Sequence, residues 1–218
     1  MRRARTQSRK GSTRVARIEA RQLPVVCVTG MPGCGKEEVL RVAAGLGFSV
    51  VRMGDVVRAE ASRRGLPMED RTVGGLAHQE RVERGFGIWA ERTLPRLQGE
   101  RVLVDGLRGK AELDVFRRAF GDRLVVIAVH ASPQTRYRRM RERSRPDDAA
   151  TLADLRARDE RELGWGLGEV IATADVVLVN EESLASFRAE TRKALRAIVR
   201  RRAGRNPTTP SEIGRAHV

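Results

Sequence analysis

The stretch that most constrains the fold is residues 23–40, LPVVCVTGMPGCGKEEVL. It begins with an apolar, β-branched run at 25–29, continues through a glycine-rich loop, and ends in a sequence that favours helix. Gly30, Gly35 and Lys36 satisfy the pattern GxxxxGK. In this pattern the glycines let successive backbone N–H groups turn inward around a polyphosphate, and the helix that follows adds positive potential. The stretch therefore predicts a strand–loop–helix unit that binds the phosphates of a nucleoside triphosphate.

Each residue of this loop is a candidate for nucleotide binding. The set is Gly30, Met31, Pro32, Gly33, Cys34, Gly35, Lys36 and Glu37. Lys36 is expected to reach the β- and γ-phosphates and to act in catalysis. Glu37 departs from the pattern, which places Ser or Thr there to bind Mg²⁺ through a hydroxyl. A carboxylate is also an oxygen ligand for Mg²⁺, so Glu37 is a candidate metal ligand that adds negative charge beside the triphosphate.

Four further apolar runs are predicted to form strands, and helical sequence separates them. They lie at 48–52, 101–107, 124–130 and 175–179. Residues 66–100 are predicted to be helical, with glycine breaks at 74–75 and 85–87. Strands that alternate with helices indicate an α/β fold, in which a parallel sheet is flanked by helices.

Polar residues after two of these strands are candidate site residues, because ligands of open α/β sheets bind at the carboxyl ends of strands. Asp105 ends the run RVLVDGL and is a candidate acid for catalysis and for a Mg²⁺-bound water; the alternative is a turn-forming Asp-Gly. Arg108 lies just beyond it. Asp55 follows the second strand, where a helix N-cap is the alternative interpretation. Arg58, one turn later, is expected to face the same edge.

Residues 136–163, between the last two strands, are rich in arginine and are predicted to form a small lid of helices. Arg139 and Arg143 are four residues apart, as are Arg141 and Arg145, so a helix places each pair on one face. Arginines at this density suit a lid that closes over transferring phosphates, where guanidinium groups offset developing charge. The alternative is a helical hairpin held together by ion pairs with the neighbouring acids.

The net charge of +15 is concentrated at the ends of the chain. Residues 1–22 and 188–205 each carry eight basic residues and one acid, so that the body between them is nearly neutral. We expect a disordered basic arm at 1–22, one domain at 23–205 and a disordered tail at 206–218. Residues 212–218, EIGRAHV, match the translation of a common sequencing adapter that ends in a stop codon, and are predicted to be read-through rather than native sequence.

Several function classes are not supported by the composition. The two cysteines give no disulfide framework and no metal-binding spacing. No apolar stretch reaches the length of a membrane span, and the arginine-rich start lacks the apolar segment of a secretory signal. The chain is therefore expected to be cytoplasmic, with no membrane partner.

The order of these motifs resembles the nucleoside monophosphate kinases of the adenylate kinase type. More closely, residues 24–190 resemble a family of small archaeal P-loop kinases that are adenylate-kinase-like or dephospho-CoA-kinase-like. The matching segments are GMPGCGKEEV, GDVVRAEASRRG, VLVDGLRG, VIAVHASPQTRYRRMRERSRPDD and RARDERELGWGLGEVIATADVVLVNEESL.

The resemblance implies a P-loop NTPase fold with a five-stranded parallel sheet in the order 2-3-1-4-5. It also implies ATP, with GTP as an alternative, and Mg²⁺. By position, Arg58 and Arg108 would hold the phosphate of an acceptor, with Asp55 beside them in the GDVVR segment. Asp105 would be the acid of the strand tip, and Arg143 or Arg145 the catalytic lid arginines.

Three departures from the related families bear on these roles. Adenylate kinases have DGFPR where this chain has DGLR, so Arg108 lies one residue closer to the strand. Dephospho-CoA kinases carry an Asp-rich signature where this chain has RMGD, which favours a nucleotide-like acceptor. Glu37 differs from both families.

These observations predict an ATP-dependent phosphotransferase that acts on a small phosphorylated acceptor, either a nucleoside monophosphate or a molecule like dephospho-CoA. Two alternatives remain: a nucleic-acid-associated NTPase that uses the basic ends, and a nucleotide-binding regulator that hydrolyses slowly. Nucleic acid is not favoured as a partner, since aromatic residues make up 4% of the chain and no nucleic-acid-binding motif is present. The sequence leaves the oligomeric state open.

Overall fold

A computed structural model describes residues 23–143 and 151–203. The five predicted strands all form, and they pair in parallel into one sheet in the order β2-β3-β1-β4-β5, as predicted. Their bounds are Val25–Thr29 (β1), Ser49–Arg52 (β2), Val102–Asp105 (β3), Leu124–His130 (β4) and Val176–Val179 (β5).

Helices connect the strands and cover both faces of the sheet. In chain order they are Lys36–Gly45 (α1), Met53–Arg63 (α2), Asp70–Arg84 (α3), Ile88–Thr93 (α4), Lys110–Phe120 (α5), Pro133–Arg143 (α6), Leu152–Gly164 (α7), Leu167–Ala172 (α8) and Leu184–Ala203 (α9). Short 3-10 turns at Leu94–Arg96 and Gly121–Arg123 precede β3 and β4.

Apolar side chains form a core on each side of the sheet. On one side, Trp89 and Phe116 pack with residues from β1, β3 and β4. On the other side, Phe48, Phe187 and Leu195 pack against the opposite face of the same strands. Strands covered on both faces are expected to be continuously apolar, and every residue of β1 is buried.

The strand register brings three carboxyl ends together. Asp105, the last residue of β3, lies beside Val28 of β1 and beside Arg52 of β2. The loop that contains the GxxxxGK pattern leaves β1 at this same edge. The sheet thus places the loop, the tip of β2 and the tip of β3 next to one another.

One predicted helix break is wrong. Helix α3 continues through Gly74 and Gly75, although each glycine costs about 1 kcal/mol relative to alanine in a helix. Leu76 and Ala77, which follow directly, are buried, and this packing stabilises the helix across the two glycines. The second predicted break is confirmed, since α3 ends at Gly85, which has a φ of 97°.

None of the helices in the two described segments combines the length and the apolar character needed to cross a bilayer.

Candidate active site

The glycine-rich loop adopts a conformation that two of its glycines make accessible. Gly30 has a φ of 141°, and a Cβ there would lie 2.3 Å from the carbonyl oxygen of Val129. Gly35 has a φ of 102°, and a Cβ there would lie 2.2 Å from Nδ2 of Asn180. Both conditions exclude a side chain. The loop is therefore packed tightly between β1, β4 and the end of β5.

Asn180, immediately after β5, holds the loop in place. Its side-chain amide donates a hydrogen bond to the carbonyl of Cys34 over 2.9 Å, and the residue is buried. Arg139 of α6 in turn donates to the backbone carbonyl of Asn180 over 2.9 Å. Asn180, which follows the edge strand β5, thus positions the loop, and Arg139 of the predicted lid positions Asn180.

Lys36, the first residue of α1, folds back over the loop. Its ammonium group donates to the carbonyl of Gly30 at 2.5 Å and to that of Met31 at 3.2 Å. These two bonds keep the charge of Lys36 at the mouth of the loop, where the pattern requires it for phosphate binding.

Glu37 makes an ion pair that the sequence did not predict. Nη1 and Nη2 of Arg52 donate to its two carboxylate oxygens over 2.8 and 2.9 Å. The same guanidinium lies 3.8 Å from Asp105. The pKa of Arg52 is raised, first by its hydrogen bond to Glu37, which outweighs the opposing effect of burial. Arg52 therefore stands as a fixed cation between the two acids that were predicted to bind metal.

Asp105 has an oxygen that suits a cation or a bound water. Within the described residues its Oδ1 is buried and has no hydrogen-bond partner, which is costly unless a ligand satisfies it. Burial raises the pKa of the Asp105 carboxyl, an effect that the charges of Lys36, Arg52 and Arg108 only partly offset. Asp105 thus fits the acid expected beside Mg²⁺. The metal role of Glu37 stays a prediction, since Arg52 engages both of its oxygens.

A cavity of about 130 Å³ lies next to the tips of β2 and β3, at the same edge of the sheet as the loop. Its floor is apolar and includes Val57, Ala77 and Trp89. Its charged and aromatic lining comes from three helices (α2, α3 and α7), from the segment after β3 and from the residue after α7: Arg58, Arg81, Arg108, Arg158, Arg161, Glu162 and Trp165. The arrangement combines an apolar floor with several guanidinium groups, which suits an anionic ligand that has an apolar or aromatic part.

Two buried acids position the arginines of this cavity. Glu112 accepts a hydrogen bond from Arg81 and another from the backbone N–H of Arg108, each over 2.8 Å. Glu162 forms an ion pair with the side chain of Arg108. Although burial opposes it, the positive charges of Arg108, Lys36 and Arg158 hold the pKa of Glu162 below its usual value. Both acids therefore hold guanidinium groups in place.

The predicted acceptor residues are only partly brought together. Arg58 and Arg108 line the same cavity, as expected from their positions after β2 and β3. Asp55 pairs with Arg58 over 2.5 Å on the exposed surface of α2, so its acceptor role stays a prediction. The N-cap interpretation of Asp55 is wrong, because α2 begins at Met53 and its N-cap position is Arg52.

The lid region forms two helices, α6 and α7, that are tied to the loop. Arg136 is 2% exposed. It donates to the carbonyl of Pro32 over 2.9 Å and to both oxygens of Asp159 over 2.9 and 2.5 Å. This ion pair joins α6 to α7, as the hairpin alternative predicted. Arg145 and the side chain of Arg143 lie outside the described residues, and their catalytic role stays a prediction.

The structure adds four functional candidates that sequence reasoning missed: Arg52, Arg81, Trp165 and Asn180. Trp165, after α7, is half-buried and has the guanidinium of Arg81 4.6 Å from its ring centroid. The sequence carried one usable signal, since Asn180 directly follows a strand at the ligand edge. The others depend on contacts between helices that no local pattern reports.

The class of protein follows from family and structure comparisons. A family model described as "AAA domain" matches residues 29–156. A gluconokinase from Sinorhizobium meliloti superposes with a TM-score of 0.55 at 19% identity, covering 83% of this chain and 96% of the other. A shikimate kinase from Bacteroides thetaiotaomicron gives a TM-score of 0.58 at 13% identity, covering 80% and 98%. The chain thus has the fold of small P-loop kinases, as predicted.

Sequence relatives define the particular family. A UPF0200 protein of Thermoplasma volcanium is 44% identical over 172 residues, which are 78% of this chain and 96% of the relative. A UPF0200 protein of Methanopyrus kandleri is 47% identical over 180 residues, covering 81% and 91%. The chain belongs to the UPF0200 family, which confirms the predicted resemblance to an archaeal family of P-loop proteins.

Proposed function

We propose that this protein is an ATP-dependent phosphotransferase that acts on a small phosphorylated acceptor. The observation that carries the proposal is that two sites lie at the same edge of the sheet: a GxxxxGK loop with Lys36 at its mouth, and an arginine-lined cavity at the ends of β2 and β3. Phosphoryl transfer depends mainly on positioning and on charge stabilisation, and this arrangement supplies both.

The loop would hold the donor nucleotide. Backbone N–H groups of residues 30–36 and the ammonium of Lys36 would bind its phosphates. Mg²⁺ would be held by the phosphates together with Asp105, whose buried Oδ1 offers a ligand position. When bound, the ion would offset charge on the β- and γ-phosphate oxygens.

The cavity would hold the acceptor. Arg58 and Arg108 both line it and would bind a phosphate or another anion, and Trp165, in the same lining, would contact a ring of the acceptor. The charge of Lys36 acts on Glu162, which lines the cavity, so the two ligands would approach each other near the tip of β3. A nucleoside monophosphate or a dephospho-CoA-like molecule fits this description.

The test is a steady-state screen in which nucleoside monophosphates, dephospho-CoA and phosphorylated sugars are each offered with ATP or GTP and Mg²⁺. We expect at least one acceptor to raise ADP or GDP formation above the rate without acceptor. Lys36→Ala should lower this turnover by at least about 10²-fold. Arg108→Gln should mainly raise the KM for the acceptor. If no acceptor raises turnover, the proposal is overturned.

A further inference from the structure

Arg52 is placed where it can act on a bound nucleotide. It is the last residue of β2 and lies directly opposite Asp105 in the strand register. It donates to both oxygens of Glu37 over 2.8 and 2.9 Å, and its Nη1 is 3.8 Å from Oδ2 of Asp105. The side chain is 35% exposed, and the loop leaves β1 at this same edge of the sheet.

The charges of Glu37 and Arg52 compensate each other. Glu37 adds one negative charge where the P-loop pattern has a neutral hydroxyl, and Arg52 adds one positive charge beside it. The pair is neutral overall, but its positive group is the one that faces Asp105. A guanidinium has five N–H donors that match phosphate as well as carboxylate oxygens. Two donors on Glu37 therefore leave others for a phosphate.

The described residues offer little else that could hold a metal ion without nucleotide. Nowhere in residues 23–143 or 151–203 do three or more His, Cys, Asp or Glu side chains form a group suited to a metal. A divalent cation that used both Glu37 and Asp105 would have to displace Arg52 from between them. The local chemistry favours an arrangement in which the guanidinium stays.

We propose that Arg52 is a nucleotide-binding residue that supplies part of the positive charge a divalent cation supplies in other P-loop sites. Glu37 then serves to hold Arg52 in place, and the chain binds a nucleoside triphosphate with weak dependence on Mg²⁺. This inference rests on the proposed nucleotide site and adds which residue supplies positive charge there.

The test measures the Kd of ATP with Mg²⁺ and with EDTA, by calorimetry or by displacement of a fluorescent nucleotide. In the wild-type chain we expect the two Kd values to differ by less than about threefold. In Arg52→Gln, metal-free ATP should bind at least about tenfold more weakly, because the carboxylate of Glu37 is then uncompensated. Mg²⁺ should restore most of the lost affinity, since the carboxylates of Glu37 and Asp105 become accessible to it.

Three further variants separate the charge effect from general damage to the fold. Glu37→Gln should bind metal-free ATP more tightly than the wild type, since it removes a negative charge beside the triphosphate while its amide oxygen can still accept a hydrogen bond from Arg52. Glu37→Thr combined with Arg52→Gln recreates the usual loop and should recover metal-free affinity relative to Arg52→Gln alone. Arg188→Gln is the matched control, because it removes an arginine that pairs over 2.7 Å with Glu38, the residue next to Glu37. Its ratio of metal-free Kd to Mg²⁺ Kd for ATP should equal that of the wild type.

A second measurement follows the metal directly. Electron paramagnetic resonance of Mn²⁺ without nucleotide should show tighter binding to Arg52→Gln than to the wild type. If Arg52→Gln and the wild type have the same ratio of metal-free to Mg²⁺ Kd, the role of Arg52 is overturned while the nucleotide site stands. If the wild type binds ATP in neither condition, the proposed function falls, and the role of Arg52 falls with it.

Discussion

At the scale of single residues, the site is a set of charges held closer together than their sequence positions indicate. Lys36, Glu37, Arg52 and Asp105 come from a loop, a helix start and two strand ends. Among the described residues, Oδ1 of Asp105 is buried and has no hydrogen-bond partner. An acid kept in this state is costly for stability and useful for binding a cation.

Asp105→Asn is expected to raise the Tm at about pH 7.5 and to lower Mg²⁺-supported turnover by about tenfold or more. Burial raises the pKa of Asp105 above the ordinary 3.8, so the ionised carboxylate destabilises the folded state. This cost is absent below the unfolded-state pKa and grows as the pH rises through the folded-state pKa.

The measurement is a pair of thermal melts of both proteins at about pH 7.5 and about pH 4.5. The difference in Tm between Asp105→Asn and the wild type should be smaller at the lower pH. A variant that melts below the wild type at neutral pH would contradict the account of Asp105 as a destabilising acid retained for function.

Local patterns account for part of the site. The loop, Lys36 and Asp105 were predictable because each is defined by its neighbours in sequence: a glycine pattern, or an acid at the end of an apolar run. No local sequence pattern identified Arg52, because its role depends on ion pairs with two acids on other elements, Glu37 and Asp105. The bond between Asn180 and Cys34 joins residues 146 positions apart, and no short-range pattern reports such a contact.

At the scale of elements, the helices α6 and α7 are connected to the loop more firmly than a mobile lid would be. Arg136 links α6, α7 and the carbonyl of Pro32, and Arg139 links α6 to Asn180. Movement of these helices would therefore change the loop itself. The sequence predicted their positions well but could not show which arginines face the loop and which face the cavity.

Asp159→Asn is expected to lower the free energy of unfolding by about 3 kcal/mol, because it leaves the buried guanidinium of Arg136 without a charged partner. Urea unfolding measures this loss. Asp114→Asn is the control: it breaks the exposed contact with Lys110 on α5 and should cost less than about 1 kcal/mol. Equal losses in the two variants would show that the ion pair between α6 and α7 does not hold these helices together.

At the scale of the whole molecule, the residues that form the sheet are not the ones that carry most of the net charge. The five strands and the helices between them followed from apolar periodicity and the parallel α/β pattern, because strands buried on both faces are easily recognised. The order of the strands in the sheet was implied by the resemblance to small P-loop kinases. The high net charge belongs mainly to residues 1–22 and 188–205. The cavity and the loop lie in the nearly neutral part of the chain.

Removal of residues 1–22 is therefore expected to leave the Kd of Mg²⁺-ATP within about twofold of its value in the full chain, since none of the residues proposed to bind the nucleotide belongs to this segment. RNA should not raise the turnover of the full chain. Nucleotide binding and turnover, each measured with and without a single-stranded RNA, check both expectations. RNA-stimulated hydrolysis that is lost with residues 1–22 would favour the nucleic-acid-associated NTPase instead.

The most direct test of the phosphotransferase assignment follows the γ-phosphoryl group itself. ATP labelled in this group is incubated with the full chain, Mg²⁺ and each candidate acceptor, and the label is separated into organic phosphate and inorganic phosphate. We expect that with one class of phosphorylated acceptor most of the label enters the acceptor, and that Lys36→Ala abolishes this transfer. Label that appears only as inorganic phosphate with every acceptor would contradict it.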